Sequence, residues 1–242
     1  MAMSKELNFE QFIGKKGNPR SLHYTWRDIS LYALSIGASE KDLPLIYERH
    51  PQYHVFPTFG LIPYLNAIMI DPPVREPNAP NEWIRSYVIE KLGYVPNCLH
   101  MGLELSIHNQ IDPYEGTLLI EDKLENVYDR GEGKGIVAKA QMDIYNNAGL
   151  PVYTLKSNHY IGAYGGFGGP KFDSGKIAFP DRAPDYEISE YMADNLAAIY
   201  RLMGDSAPVH LDPAVSSGFG YEKPFMQGLA TYGFAVRMGV KA

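Results

Sequence analysis

Val55-Phe-Pro-Thr-Phe-Gly-Leu-Ile-Pro-Tyr-Leu-Asn-Ala-Ile-Met-Ile70 places apolar residues on every side when wound at helical spacing. A helix of that kind is wrapped by other elements rather than laid on a surface. Pro63 should bend or delay its start, because proline lacks the N–H that a helix interior needs. From Cys98 onward the texture changes to that of a sheet. Leu99 to Asn109 reads as a strand, and Gly116 to Asn126 alternates around acidic residues. Ile136 to Tyr145 and Val152 to Ile161 complete a meander, with Gly131-Glu-Gly-Lys-Gly135 and Asn146-Asn-Ala-Gly149 as its turns. One apolar helix followed by four antiparallel strands predicts an α+β fold in which a sheet curls around a helix.

Upstream, His23 to Trp26 is a short strand, Asp28 caps a helix from Ile29 to Ile36, and Gly37 stops it. Leu43 to Glu48 is a short helical or extended piece, and the four prolines between Asp71 and Asn81 make a loop. Gly162 to Pro170, five glycines in nine residues, reads as a flexible linker. Glu190 to Met203 has helical spacing, and a second apolar run, Leu229 to Met238, follows Gly228. Strand, helix, turn and buried helix thus occur twice, and the second copy has no strands after its helix. Its apolar face predicts strands supplied either by sequence beyond Ala242 or by another chain.

The chemistry concentrates in this second copy. Asp205 and His210 stand five residues apart across a turn that Pro208 stiffens, which can aim a carboxylate and an imidazole at one small volume. Gly228 opens the second buried helix, where bare N–H groups and the helix dipole favour developing negative charge.

Composition removes other classes. The 242 residues are 45% hydrophobic, enough for a proper core, and the net charge of −6 is interspersed, which argues against nucleic-acid or anionic-membrane partners. No apolar stretch reaches membrane-spanning length, and Met1 to Glu6 lacks the apolar core of a secretory signal. Cys98 is the sole cysteine, so no intrachain disulfide forms and a reducing, intracellular compartment is expected. Arg182, Arg201 and Arg237 read as solvated surface residues.

Taken in order, Tyr32-Ala-Leu-Ser-Ile-Gly-Ala-Ser39, Ile46-Tyr-Glu48, Pro57-Thr-Phe-Gly60, Leu99-His100, Gly165-Gly-Phe-Gly-Gly169, Tyr200-Arg-Leu-Met-Gly-Asp205, His210-Leu-Asp-Pro213 and Pro224-Phe-Met-Gln-Gly-Leu229 resemble the double-hotdog (R)-specific enoyl-CoA hydratases. These belong to the MaoC-like hydratase/dehydratase family, and the likeness is greatest to the hydratase portion of peroxisomal multifunctional enzymes. The resemblance implies two hotdog repeats. Residues 1–161 would be an N-terminal repeat accommodating the acyl-CoA, 162–185 a linker, and 186–242 a partial C-terminal repeat with the hydratase motif. It implies reversible hydration of a trans-2-enoyl-CoA to the (R)-3-hydroxyacyl-CoA without metal or other cofactor, a peroxisomal or otherwise cytoplasmic site of action, and a homodimer or a strand-completing partner. Asp205 and His210 fall on the catalytic pair, and the Gly228 N–H on the oxyanion donor. Tyr200, Tyr32, Glu48, His100 and Gln227 fall on supporting positions, Gln227 where the family has histidine. Ala207 stands where the family has a water-holding asparagine, so a slower enzyme is expected. The alternative is a weakened or inactive homologue that binds acyl thioesters or completes a partner chain.

Overall fold

In a computed structural model, residues 7–68, 80–94, 96–173, 175 and 178–241 are described. The chain divides into two compact units, one of Met1–Ser21, Glu76–Asn109 and Leu119–Phe179, the other of Leu22–Arg75, Gln110–Leu118 and Pro180–Ala242. Of the loop expected from Asp71 to Asn81, residues 71–79 lie outside the described residues, whereas Pro80 and Asn81 open a helix instead.

Among the described residues five strands, β1 (Arg20–Thr25), β2 (Cys98–Ile107), β3 (Glu115–Asp129), β4 (Ile136–Asn146) and β5 (Pro151–Ile161), form one sheet in the order β1-β3-β4-β5-β2. β5 pairs antiparallel with both neighbours, Ile136 opposite Ile161 on one side and Cys98 opposite Ile161 on the other. The strands form because β-branched and aromatic residues alternate with polar ones, and along β4 the burial alternates in step. The β4–β5 turn is set by Asn146, whose side-chain oxygen accepts the N–H of Ala148 and Leu150, and by Gly149 at φ 78°.

Among the described residues seven helices accompany the sheet: α1 (Trp26–Ser35), α2 (Leu43–Ile46), α3 (Ile62–Ile68), α4 (Pro80–Leu92), α5 (Leu196–Tyr200), α6 (Pro213–Gly218) and α7 (Gly228–Lys241). The cap of α1 differs from expectation. Thr25 is the N-cap, and Asp28 completes a capping box by accepting the Thr25 N–H at 2.8 Å. Pro63 sits in the first turn of α3, where its missing N–H costs no helical bond, and a 3₁₀ turn, Pro57–Leu61, precedes it. In the first unit α4 lays Ile84 and Val88 against Leu124, Val127, Ile136, Ala138 and Ile161 of the sheet. In the second unit Phe59 packs edge-on against both Tyr24 and Tyr32. The helix read over Glu190 to Met203 is confined to α5 and a 3₁₀ turn, Arg201–Met203. Among the described residues after β5, the one β-type pairing is the bridge of Lys171 with Asp129.

The glycine-rich stretch is no free linker. The Asp129 carboxylate accepts N–H bonds from Gly131, Gly166 and Gly168 at 2.6–2.8 Å, which clamps residues 164–168 onto the β3–β4 turn. A Cβ on Gly165 would stand 2.2 Å from the Gly131 carbonyl, so only glycine allows this approach. Burial alone would raise the Asp129 pKa, but these backbone donors outweigh it and hold it below the usual range. The stabilisation is therefore present above the unfolded-state pKa and lost as pH falls through the folded one. We expect Asp129→Ala to lower the unfolding free energy by about 2–3 kcal/mol at neutral pH and by much less in acid, as read by urea titration at the two pH values.

Candidate active site

Asp205 is placed by what ends α5. The 3₁₀ turn Arg201–Met203 closes on Gly204 at φ 121°, a backbone state that glycine adopts freely, and the chain reverses there. Asp205 then lies buried, 6% exposed, and accepts the Ala207 N–H at 3.4 Å. Burial raises its pKa, and the nearby positive charge of His210 opposes that rise. No other side chain supplies it with a hydrogen bond among the described residues.

His210 closes the 3₁₀ turn Pro208–His210, whose N-cap is Ala207. That turn is held from below, because Ser216 of α6 donates to the Val209 carbonyl at 2.6 Å and Asp212 caps α6 through the Ala214 N–H. His210 Nδ1 lies 2.9 Å from the Phe225 carbonyl. A carbonyl only accepts, so Nδ1 carries the proton and Nε2 is the basic nitrogen. The Phe225 ring stands edge-on to the imidazole with centroids 4.9 Å apart, fixing its plane.

Gly228 begins α7, and Gln227 before it accepts the Thr231 N–H at 3.0 Å as the helix cap. A Cβ built on Gly228 meets nothing within 4 Å, so packing does not demand glycine there. The open approach leaves the first N–H groups of a 14-residue helix accessible to an anion. Gln227 is fully buried, and its Nε2 donates to the Ala197 carbonyl of α5 at 3.0 Å, which ties the start of α7 to the helix that leads into Asp205.

Of the remaining positions singled out by sequence, Tyr32 is buried in α1 and donates to Thr58 Oγ1 at 2.7 Å. The Tyr200 ring lies 6.4 Å from it, and Tyr200 is itself fully buried. Burial first, then the neighbouring Tyr32 and Asp205, raise the Tyr200 pKa well above its ordinary value. Glu48 lies 3.7 Å from its neighbour Arg49 and acts electrostatically on Tyr53. His100 sits on β2, its ring 5.1 Å from His159 of β5. Tyr32, Glu48, Tyr200, Asp205, Ala207, His210, Gln227 and Gly228 all belong to the second unit, and His100 to the first.

The arginine reading needs correction. Arg182 is a surface residue paired with Asp185 at 2.7 Å, but Arg237 of α7 is 1% exposed. It donates to the Ile36 carbonyl and to Glu190, with Asp42 3.8 Å away. Its place inside an otherwise apolar helical run is the feature of the sequence that the surface reading passed over. A cavity of about 490 Å³ in the first unit is lined by Pro19, Arg20, Leu119, Ile120, Glu121 and Tyr145, none of them a residue of the site. No cluster of three or more His, Cys, Asp or Glu suited to a metal occurs among the described residues, and no described helix is long and apolar enough to cross a membrane.

A buried carboxylate, an oriented imidazole and an open helix start form the set needed to add water to a polarised double bond. Known proteins agree with that chemistry. The family model described as the MFE-2 hydratase 2 N-terminal domain matches residues 22–161. The chain is 33% identical over 235 residues to a probable enoyl-CoA hydratase 2 of Dictyostelium discoideum, covering 96% of this chain and 75% of that protein. It is 33% identical over 233 residues to the mouse peroxisomal multifunctional enzyme type 2, covering 93% of this chain but 29% of that protein. The structure superposes on a MaoC-like dehydratase from Phytophthora capsici with a TM-score of 0.78 and 27% identity, over 97% of this chain and 78% of that one. With its sheet and helices arranged in the MaoC-like hotdog manner, the chain belongs to the MFE-2 hydratase 2 family.

Proposed function

We propose that this protein reversibly hydrates trans-2-enoyl-CoA thioesters to (R)-3-hydroxyacyl-CoA through Asp205, His210 and the Gly228 N–H. It is a lyase of the enoyl-CoA hydratase type, as its relatives are named. The observation that carries the assignment of residues is the His210 tautomer. With Nδ1–H committed to the Phe225 carbonyl, Nε2 and the Asp205 carboxylate are the two acceptors available to a water molecule. As the water oxygen bonds to C3, its proton passes to this pair. The π electrons move onto the thioester carbonyl oxygen, where the Gly228 N–H stabilises the enolate. A proton then returns to Cα. Water is added across the bond and nothing is oxidised or reduced, so the proposed reaction calls for no metal or redox cofactor. Tyr32, Glu48, His100 and Gln227 have supporting roles in this reading.

Two further features belong to the proposal. β2 is an edge strand with Leu99, Met101 and Ile107 exposed, Phe179 is exposed at the end of the first unit, and Leu202, Phe219 and Val240 are exposed in the second unit, so a second copy or a strand-completing partner covers apolar surface. The site of action is the peroxisome, on the strength of relatives named peroxisomal.

The test is hydration of crotonyl-CoA by the wild-type chain, followed by loss of enoyl-thioester absorbance, with chiral analysis of the product. A product of the (S) series, or no turnover at any acyl length, sinks the proposal. Ala207 is half-buried and offers the water no side-chain hydrogen bond. We expect Ala207→Asn to raise kcat by about 3- to 10-fold, the worth of one added neutral hydrogen bond; an unchanged or lower kcat means the water is held elsewhere.

A further inference from the structure

Tyr200 contradicts ordinary packing. It is fully buried, and its hydroxyl has no hydrogen-bond partner among the described residues. Buried hydroxyls are almost always satisfied, so one that is not is reserved for a ligand or is strained. Its neighbours do not explain it. The Tyr32 hydroxyl, on the adjoining ring, directs its proton to Thr58 Oγ1 at 2.7 Å, and a Cβ on Gly233 of α7 would stand 2.9 Å from that same hydroxyl. Tyr200 closes α5, and the chain reaches Asp205 through a single 3₁₀ turn and Gly204, so the phenol and the carboxylate share one short, rigid connection. The Asp205 carboxylate acts electrostatically on the Tyr200 phenol.

We propose that the Tyr200 hydroxyl is a positioning donor for the oxygen that adds to C3, the water in one direction and the 3-hydroxyl of the thioester in the other. A phenol at this place donates to an oxygen lone pair and leaves that oxygen's own proton pointing at Asp205. An enoyl or saturated acyl chain has no oxygen at C3 and leaves the phenol unmatched. The preference is therefore for the hydroxylated thioester, and it resides in one atom. This inference rests on the hydratase reading for its ligand, but its binding readout does not need turnover.

The experiment is Tyr200→Phe, which removes the hydroxyl and keeps the ring. Three quantities are read: kcat and KM for crotonyl-CoA hydration, the thermal midpoint, and the calorimetric affinities of (R)-3-hydroxybutyryl-CoA and butyryl-CoA. We expect kcat to fall about 10- to 100-fold with KM little changed, since the lost bond orients the oxygen that bonds to C3 and leaves the contacts of the acyl-CoA in place. The thermal midpoint should stay level or rise, because an unsatisfied buried hydroxyl is relieved. Wild type should bind the hydroxylated thioester more tightly than the saturated one, and Tyr200→Phe should lose most of that margin while keeping its butyryl-CoA affinity. An unchanged kcat together with an unchanged margin overturns the proposal. A lower midpoint with both affinities falling equally also overturns it, since that is the signature of a structural residue. A wild type without turnover, whose margin still depends on Tyr200, rejects the hydratase reading and leaves the hydroxyl subsite standing.

Discussion

Asp205→Asn should lower kcat/KM for crotonyl-CoA hydration by about 10²–10⁴-fold, the range for loss of a positioned general base. The substitution keeps size and shape and removes only the charge, so the expected loss is chemical. Stability provides the control. Burial raises the Asp205 pKa in the folded state, with the His210 charge opposing. A carboxyl whose folded pKa is raised favours folding below its unfolded pKa, and that benefit is lost as pH climbs through the folded one. At neutral pH the ionised carboxylate is therefore a liability to the fold, and Asp205→Asn should be as stable as wild type or more so. An inactive variant with a lowered unfolding midpoint would mean that Asp205 holds structure and not chemistry. The same pKa direction puts the acid limb of the wild-type kcat/KM profile above the ordinary aspartate range. In His210→Gln the opposing charge is gone, so the acid limb of the residual activity should move higher still; a downward move contradicts the coupling.

What the chain discloses before folding is mostly what is decided within a few residues. Gly37, Gly149 and Gly204 end or reverse elements through their own backbone freedom, and Asp212 caps α6 two residues on. The β4 and β5 strands carry their alternation in plain view, and the Asp205–Pro208–His210 spacing marks the site without any tertiary contact. α4 is also local, with Trp83, Ile84, Tyr87, Val88 and Leu92 at helical spacing, but the neighbouring prolines mask it. The rest depends on partners distant in sequence. Asp129 meets Gly166 across 37 residues and converts an apparently flexible glycine run into a clamp. The tautomer of His210 depends on the Phe225 carbonyl, 15 residues along the chain, and nothing in the sequence pairs the two. The buried Tyr200 hydroxyl is invisible in sequence, because a tyrosine on an apolar helix face looks the same whether its oxygen is satisfied or not.

Arg237 shows the same distance dependence at its extreme, since the Ile36 carbonyl it meets at 2.9 Å lies 201 residues away. We expect Arg237→Met to destabilise the protein by about 3–5 kcal/mol, the loss found when one partner of a buried ion pair is removed. Against a typical total of about 5–15 kcal/mol, that is enough to unfold a substantial fraction of molecules at physiological temperature. The charges explain the size. Arg237 meets Glu190 and Asp42, and Lys241 at the end of α7 lies 3.0 Å from Asp42 and 3.9 Å from Glu190, so two acids and two bases balance. Removing the arginine leaves two carboxylates facing one partly exposed ammonium, and it strips the Ile36 carbonyl of its donor. The guanidinium also lies over the Phe234 ring, 5.0 Å from its centroid, so methionine restores bulk but not this contact. Lysine would not rescue it, because a single ammonium cannot serve the Ile36 carbonyl and Glu190 from different faces of a planar fork. Adding Glu190→Gln and Asp42→Asn to Arg237→Met should recover about half of the loss, since the uncompensated charges go with the arginine. Urea titrations of the single and triple variants decide the matter. A single variant within about 1 kcal/mol of wild type would place Arg237 among exposed pairs of little energetic consequence. The helix it anchors carries Gly228 at its other end, so the single variant should also lose oxyanion alignment, and the triple variant should regain activity in parallel with stability.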